Sequence, residues 1–145
     1  HAKRCFSGYI PPLVVSDDLC NFIASASSDA RSAFKAFSSH PDYWGPTVTS
    51  GDFWIQMQCP ELTNVWQFRV RATNAAITSW KLEGSIDNTI FTMIFDGSST
   101  TLDASTRTYN CESNAANYSI YRLSCSRNEN TDPGIRYMQL YVRSN

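Results

Sequence analysis

Long apolar runs and blocks of basic charge are both missing from this sequence of 145 residues. No segment approaches the ~18 consecutive apolar residues that a membrane-spanning helix requires. The twelve basic and thirteen acidic side chains give a net charge of -1, and they are spread along the chain without runs. Because nucleic-acid-binding proteins concentrate Lys and Arg in a patch or stripe, we expect no nucleic-acid partner.

Metal-ligand spacings are also missing. The chain has five cysteines and two histidines, and no two cysteines form a C-x-x-C pair, so we expect no zinc site. A disulfide between Cys5 and Cys20 would close and stabilise an N-terminal loop. The alternative is a set of five buried, reduced thiols that pack as small hydrophobic side chains. The odd number leaves at least one thiol free or paired between chains.

Signatures of hydrolytic catalysis are absent as well. The sequence has no G-x-S-x-G elbow, and a catalytic triad would have to use His40, the one histidine besides His1. The aspartates lie in separate turns, without a pairing that the sequence reveals. We therefore expect that this chain is not an enzyme.

What the sequence does contain is a series of alternating apolar and polar residues, which is typical of half-buried strands. Turn-forming residues separate these runs, as at Asp96-Gly97 and Asp132-Pro133-Gly134. The predicted strands cover residues 53–58, 66–71, 80–84, 91–95, 118–124 and 136–142.

One short stretch, residues 28–37, has the apolar spacing of a helix. Six or more short strands with little helix predict an all-β fold, an antiparallel β-sandwich or jelly roll. We expect a single domain over residues 1–145, with a less regular N-terminal segment at 1–23.

In the order of its elements, the chain resembles the discoidin or coagulation-factor C-type domain, a galactose-binding-like jelly roll. The resemblance covers roughly residues 24 to 143. Its markers are AFKAF at 33–37 followed by Trp44, then FWIQM at 53–57, SWKLEGSIDN at 79–88, Tyr118-x-x-Tyr121-Arg122-Leu123, and Gln139-Leu140-Tyr141. Within SWKLEGSIDN, Gly84 suits a close backbone approach, and Asp87-Asn88 tolerates a left-handed turn.

The resemblance implies a non-catalytic binding module that uses loops at one end of the barrel. Glycan-binding members have a histidine just after the conserved tryptophan, an arginine and an asparagine before the Gly-Ser strand, and an aromatic ring that stacks on the sugar. Here Gly45 follows Trp44, whereas Arg71 and Asn74 lie in the expected loop. Many members hold a calcium ion with an aspartate that follows Ala-Phe. In this chain Ser38 stands at that position, so we expect no cofactor or metal.

The candidate site residues come from three loops. Residues 38–47 combine aromatic rings, a histidine and a carboxylate, which is the mixture that sugar recognition needs. The second loop follows the strand at 66–71, and the third, at 126–134, is strongly polar. The candidate ligand-binding residues are His40, Asp42, Tyr43, Trp44, Arg71, Asn74, Arg127 and Asn128. For Trp44 the alternative is a role as a core anchor, which is its usual role in the family.

The predicted function is a carbohydrate-binding module for attachment or adhesion, with a glycan or glycoprotein surface as its partner. The alternative is a protein–protein interaction or oligomerisation domain, such as a fibre knob. Because the loops are polar and the net charge is slightly negative, we do not expect membrane lipid as a partner. An extracellular or surface-exposed location suits this function, and a cytoplasmic one stays open.

Overall fold

The computed structural model describes residues 18–19, 22–37, 42–47, 51–127 and 132–143. His40, Asn128, Ser38, Cys5 and Cys20 lie outside these ranges. Within them, eight strands and two short 3-10 helices form the fold. The strands are β1 (Asp18–Leu19), β2 (Phe22–Ala26), β3 (Phe53–Ala72), β4 (Ile77–Ser85), β5 (Thr92–Gly97), β6 (Arg107–Asn110), β7 (Asn117–Arg127) and β8 (Ile135–Val142), and the helices are Ala30–Phe37 and Glu112–Asn114.

All strand pairs in the described residues are antiparallel, and two sheets share β3. The larger sheet has the order β1-β2-β3-β7-β4-β5, and the smaller one places β3 between β6 and β8. This arrangement confirms the expected all-β antiparallel jelly roll. β1 and the start of β2 fall within the segment 1–23, for which the sequence predicted less regular structure.

The two strands predicted at 53–58 and 66–71 are one continuous strand, β3, so that prediction was wrong about their separation. β3 pairs with β7 up to Gln58, loses register, and resumes at Thr63 before joining the smaller sheet. Pro60 lies in this irregular part. Because proline has no N–H for a ladder, it is tolerated where pairing is interrupted, and it bends the strand without ending it.

The two ends of the barrel follow from the register. At the upper end, β3 begins and β7 ends, since Phe53 pairs with Cys125. β4 begins there too, opposite Arg127. At the lower end, β4 closes at Ser85 and turns into β5. Arg127, at the end of β7, and Asn74, which lies just before β4, therefore belong to the upper end.

The core contains the aromatic and aliphatic side chains that face inward from both sheets. Phe68, Trp80, Phe95 and Tyr109 form one cluster, with ring centroids 4.9 to 5.8 Å apart. Trp44 is 0% exposed, which confirms its role as a core anchor. The expected helix is present as a 3-10 helix that buries Ala33, Ala36 and Phe37.

The turn at the lower end has the geometry that its residues predicted. Asn88 adopts a positive φ of 61°, and a Cβ at Gly84 would overlap the ring of Tyr118. Asp87 accepts hydrogen bonds from the backbone N–H groups of Thr89 and Ile90, both at 2.9 Å. This stretch is a structural corner of the fold.

The three described cysteines, Cys59, Cys111 and Cys125, are buried and free. Burial raises the pKa of the Cys59 and Cys111 thiols to about 11. These three therefore match the expectation of packed thiols. No helix among the described residues is long and apolar enough to cross a membrane.

Candidate ligand-binding site

Three segments that are far apart in sequence meet at the upper end. The backbone of Trp44 exchanges two hydrogen bonds with Ile135, at 3.0 and 2.8 Å. The N–H of Thr73, just after β3, donates to the carbonyl of Gly134 at 3.0 Å. The segment 42–47, the β3–β4 loop and the residues before β8 therefore form one continuous surface, which we call the Tyr43 cluster: Asp42, Tyr43, Gly45, Thr73, Asn74, Asp132, Pro133, Gly134 and Arg136.

Tyr43 is the exposed aromatic residue of this cluster, with 44% of its surface accessible. Its ring rests on glycine backbone, because a Cβ on Gly134 would lie 2.8 Å from Tyr43 Cδ2 and 3.0 Å from Thr73 Oγ1. A Cβ on Gly45 would lie 3.4 Å from Tyr43 Cε2. The guanidinium carbon of Arg136 is 5.7 Å from the ring centroid. The ring is thus supported from below and bordered by a cation.

Asp42, the residue before Tyr43, holds the backbone of Tyr43 in place. Its Oδ1 accepts a hydrogen bond from the N–H of Tyr43 at 2.9 Å. Its Oδ2 forms an ion pair with Lys35 Nζ at 3.2 Å, and 53% of its side chain remains accessible. The carboxylate therefore orients Tyr43 and ties the loop to Lys35.

Trp44 does not share this exposure. Its Nε1–H reaches the carbonyls of Ser28 and Asp29, both at 3.2 Å, and its ring packs against Phe53 at 5.9 Å between centroids. A ring buried in this way presents no face to a ligand. The proposal of Trp44 as a ligand-binding residue is therefore corrected: it anchors the loop that carries Tyr43.

Asn74 joins two of the converging loops. Its Nδ2 donates to the carbonyl of Asp132 at 2.9 Å, and its Oδ1 accepts the N–H of Ala76 at 2.9 Å. It therefore lies in the Tyr43 cluster, as the sequence predicted, and it holds the loops together.

Arg71 and Arg127 make their contacts elsewhere. Arg71 Nε donates to the carbonyl of Ala104 at 2.8 Å. Arg127 Nε donates to the carbonyl of Gly51 at 3.0 Å, with its guanidinium carbon 5.1 Å from the Phe53 ring centroid. Both guanidinium groups brace neighbouring loops, so the structure does not bring them to Tyr43. His40 and Asn128, the other two candidates, lie outside the described residues.

Sequence reasoning missed Thr73, Gly134 and Arg136 as members of the cluster. The candidate loop at 126–134 includes Gly134, but within Asp132-Pro133-Gly134 the sequence indicated turn chemistry and no contact with an aromatic ring, and Arg136 belonged to an ordinary strand pattern. The pairing of Trp44 with Ile135, which brings these residues to Tyr43, leaves no local signal in the sequence.

The arrangement suits recognition of a hydroxyl-rich ligand. An exposed aromatic ring can lie against the apolar C–H face of a sugar, while Asp42 and the backbone at the rim accept or donate hydrogen bonds to hydroxyls. Within the described part of the chain, no three His, Cys, Asp or Glu side chains are grouped so as to hold a metal ion.

No protein-family model matches the sequence, and no curated protein is significantly similar to it. Solved structures do match. CpGH89CBM32-6 from Clostridium perfringens aligns with a TM-score of 0.71 at 12% identity, over 86% of this chain and 96% of that one. Chitosan-binding module 1 of a Paenibacillus chitosanase/glucanase aligns with a TM-score of 0.69 at 21% identity, over 83% and 95%.

A third structure, the family 32 carbohydrate-binding module of C. perfringens NanJ in complex with galactose, aligns with a TM-score of 0.64 at 13% identity, over 83% of this chain and 93% of that one. These modules are galactose-binding-like jelly rolls. The chain has the discoidin-type fold. Within this fold, the Tyr43 cluster lies at the upper end, where β3 begins and β7 ends.

Proposed function

We propose that this chain is a non-catalytic glycan-binding module that attaches a larger protein or assembly to a carbohydrate surface. The observation that carries the proposal is the exposed Tyr43 ring, which is held on the backbone of Gly45 and Gly134 at the junction of three loops. An aromatic platform that needs no rearrangement loses little conformational entropy on binding.

The ligands of modules with the same fold support a sugar as the partner. The similar Paenibacillus module binds chitosan, and the NanJ module was solved with galactose. A hexose or hexosamine unit is therefore the first ligand to test on Tyr43. Such a function suits an extracellular or surface-exposed location.

The polar groups of the upper end support a binding role over a catalytic one. Asp42, Asn74 and Arg71 each use side-chain atoms to fix a loop. A general acid or base needs a positioned group that is free to exchange a proton with the substrate.

Glycan-array screening followed by calorimetric titration tests the proposal. Tyr43→Ala is expected to weaken binding of the selected sugar about tenfold, because it removes the stacking surface. Tyr141→Ala is the matched control, since Arg69 lies 5.7 Å from the Tyr141 ring centroid, as Arg136 does from Tyr43. Absence of saturable sugar binding at millimolar concentration, or equal losses in both variants, would contradict the proposal.

A protein-interaction role has one specific observation in its favour. Three large apolar side chains are exposed near the lower turn: Ile86 at 64%, Ile90 at 72% and Met93 at 50%. Exposed apolar groups of this kind are common at protein contacts. Analytical ultracentrifugation of the chain and of Ile90→Ser tests self-association, and a concentration-independent monomer would count against a dimer through this surface.

A further inference from the structure

A groove of about 460 Å³ lies on the outward face of the larger sheet, toward the upper end. Strands β3, β7, β4 and β5 all contribute to it. The register aligns one residue from each strand, since Trp54 pairs with Ser124, Ser124 with Lys81, and Lys81 with Asp96. At a strand spacing of about 4.8 Å, this row spans about 14 Å. The groove is thus long enough for more than one sugar ring.

The aromatic wall of the groove is held in place. The guanidinium carbon of Arg122 lies 3.9 Å from the Trp54 ring centroid and 4.1 Å from that of Phe91. Arg122 Nε also donates to Gln56 Oε1 at 2.9 Å. Cation–π contacts on both sides of the guanidinium fix Trp54, which is half-buried on the outward face.

The polar wall is equally ordered. Ser124 Oγ donates to Glu83 Oε1 at 2.6 Å, and Lys81 Nζ lies 3.5 Å from Glu83 Oε2. Hydrogen bonds from the Ser98 side chain and N–H lower the pKa of Asp96. Asp96 therefore stays ionised at neutral pH, with an exposed side chain beside Lys81.

The charge of the groove favours one class of sugar. Three carboxylates line it, those of Asp52, Glu83 and Asp96, together with the ammonium group of Lys81, and the Arg122 guanidinium lies against the Trp54 ring. These five charged groups sum to -1, and Lys81 is paired with Glu83. The carboxylates of Asp96 and Asp52, with the serine hydroxyls and the indole ring, favour a ligand that is both hydroxyl-rich and cationic.

We propose that this groove is a second saccharide-binding surface, separate from the Tyr43 cluster, that prefers sugars with a free amino group over their N-acetylated forms. In an oligomer, the ammonium group of one sugar unit would lie beside Asp96, and the ring of another unit would lie against Trp54 at the other end of the row. This surface binds independently of the loop end.

The test uses the whole chain and two oligosaccharides of equal length, a glucosamine oligomer and its N-acetylated counterpart. In NMR titrations, the glucosamine oligomer is expected to shift the amides of Trp54, Lys81 and Ser124. Asp96→Asn should weaken this binding about fivefold, because it removes one charge and keeps the shape of the side chain. Glu61→Gln is the control, since it removes the same charge at an exposed position near the lower end.

The outcomes separate this proposal from that for Tyr43. Tyr43→Ala should leave the groove shifts intact, so their survival in that variant supports a second surface, and their loss contradicts it. Equal shifts with the N-acetylated oligomer, or equal binding of spermidine as a cation without a sugar ring, would overturn the preference for amino sugars. So would an Asp96→Asn variant that binds the glucosamine oligomer as tightly as the wild type.

Discussion

The two ends of the barrel use similar residues in opposite ways. At the lower end, Asp87 accepts two backbone hydrogen bonds and one from Ser85 Oγ, all within the same short turn. At the upper end, Asn74 bonds to Asp132 and the Tyr43 ring lies against Gly134, and both contacts join residues more than 50 positions apart along the chain. The Asp87 hydrogen bonds stay within the lower turn, whereas these contacts of the upper end assemble a surface from distant loops. Polar residues alone therefore do not mark a binding site.

The largest effect is expected from removing the anchor of the upper end. Trp44→Ala should lower the free energy of unfolding by about 3–5 kcal/mol, because a fully buried aromatic side chain leaves a cavity. Chemical denaturation measures this loss. A loss below ~1 kcal/mol would show that the segment 42–47 does not depend on Trp44 as an anchor. The upper end would then not depend on a buried anchor in the way described here.

A smaller change should affect binding more than folding. Gly134→Ala places a methyl group against the Tyr43 ring and Thr73 Oγ1, so the ring must shift. We expect about tenfold weaker sugar binding, measured by calorimetry, with the fold retained in the circular dichroism spectrum. Gly51→Ala is the control, because a Cβ there meets no atom within 4 Å, although its positive φ of 83° adds strain. Equal sugar affinity in Gly134→Ala and the wild type would show that binding does not depend on the position of the Tyr43 ring.

The contrast also explains what the sequence predicted and what it did not. The hydrogen bonds of Ser85 and Asp87 in the lower turn join residues two or three positions apart, so the turn was predictable from its own residues. The approach of Tyr43, Asn74 and Gly134 depends on strand pairing across the whole chain. The prediction that these loops meet came from the resemblance. Residue type alone could not show that Arg71 and Arg127 contact other loops and not the Tyr43 cluster.

Asp87→Ala should weaken the lower end without changing sugar binding. The hydrogen bonds from Ile90 and Thr89 lower the pKa of Asp87 below its usual value of 3.8. Its contribution to stability is therefore present above pH ~4 and is lost as the pH falls through the lowered pKa. We expect a lower Tm at pH 7 than for wild type, and a difference that shrinks in acid. Reduced sugar affinity in this variant would mean that the two ends are coupled.

The smallest expected effect is the alkylation of the buried thiols in the native state. Alkylation of a buried cysteine requires local unfolding around it, so each thiol reports local unfolding at its own end of the barrel. Cys125 lies near the upper end, and Cys59 lies toward the lower end. Burial raises the pKa of both thiols, that of Cys59 to about 11. Because thiolate is the reactive form, both should resist alkylation at pH 8 in the native state. Preferential labelling of one cysteine, read by mass spectrometry, would show that its end opens alone.

Stability should fall in alkali for the same reason. The unfolded chain loses the thiol proton near pH 9, whereas folded Cys59 keeps it until about 11, so the stabilising contribution of the buried thiol is lost across that interval.

The most direct measurement is an NMR titration of the labelled chain with the sugar selected by the array. We expect amide shifts at Tyr43, Thr73 and Gly134, with no change between Ser85 and Ile90. Shifts confined to the lower turn, or a saturable interaction that leaves the Tyr43 cluster unperturbed, would contradict the claim that the upper end is the primary glycan-binding surface.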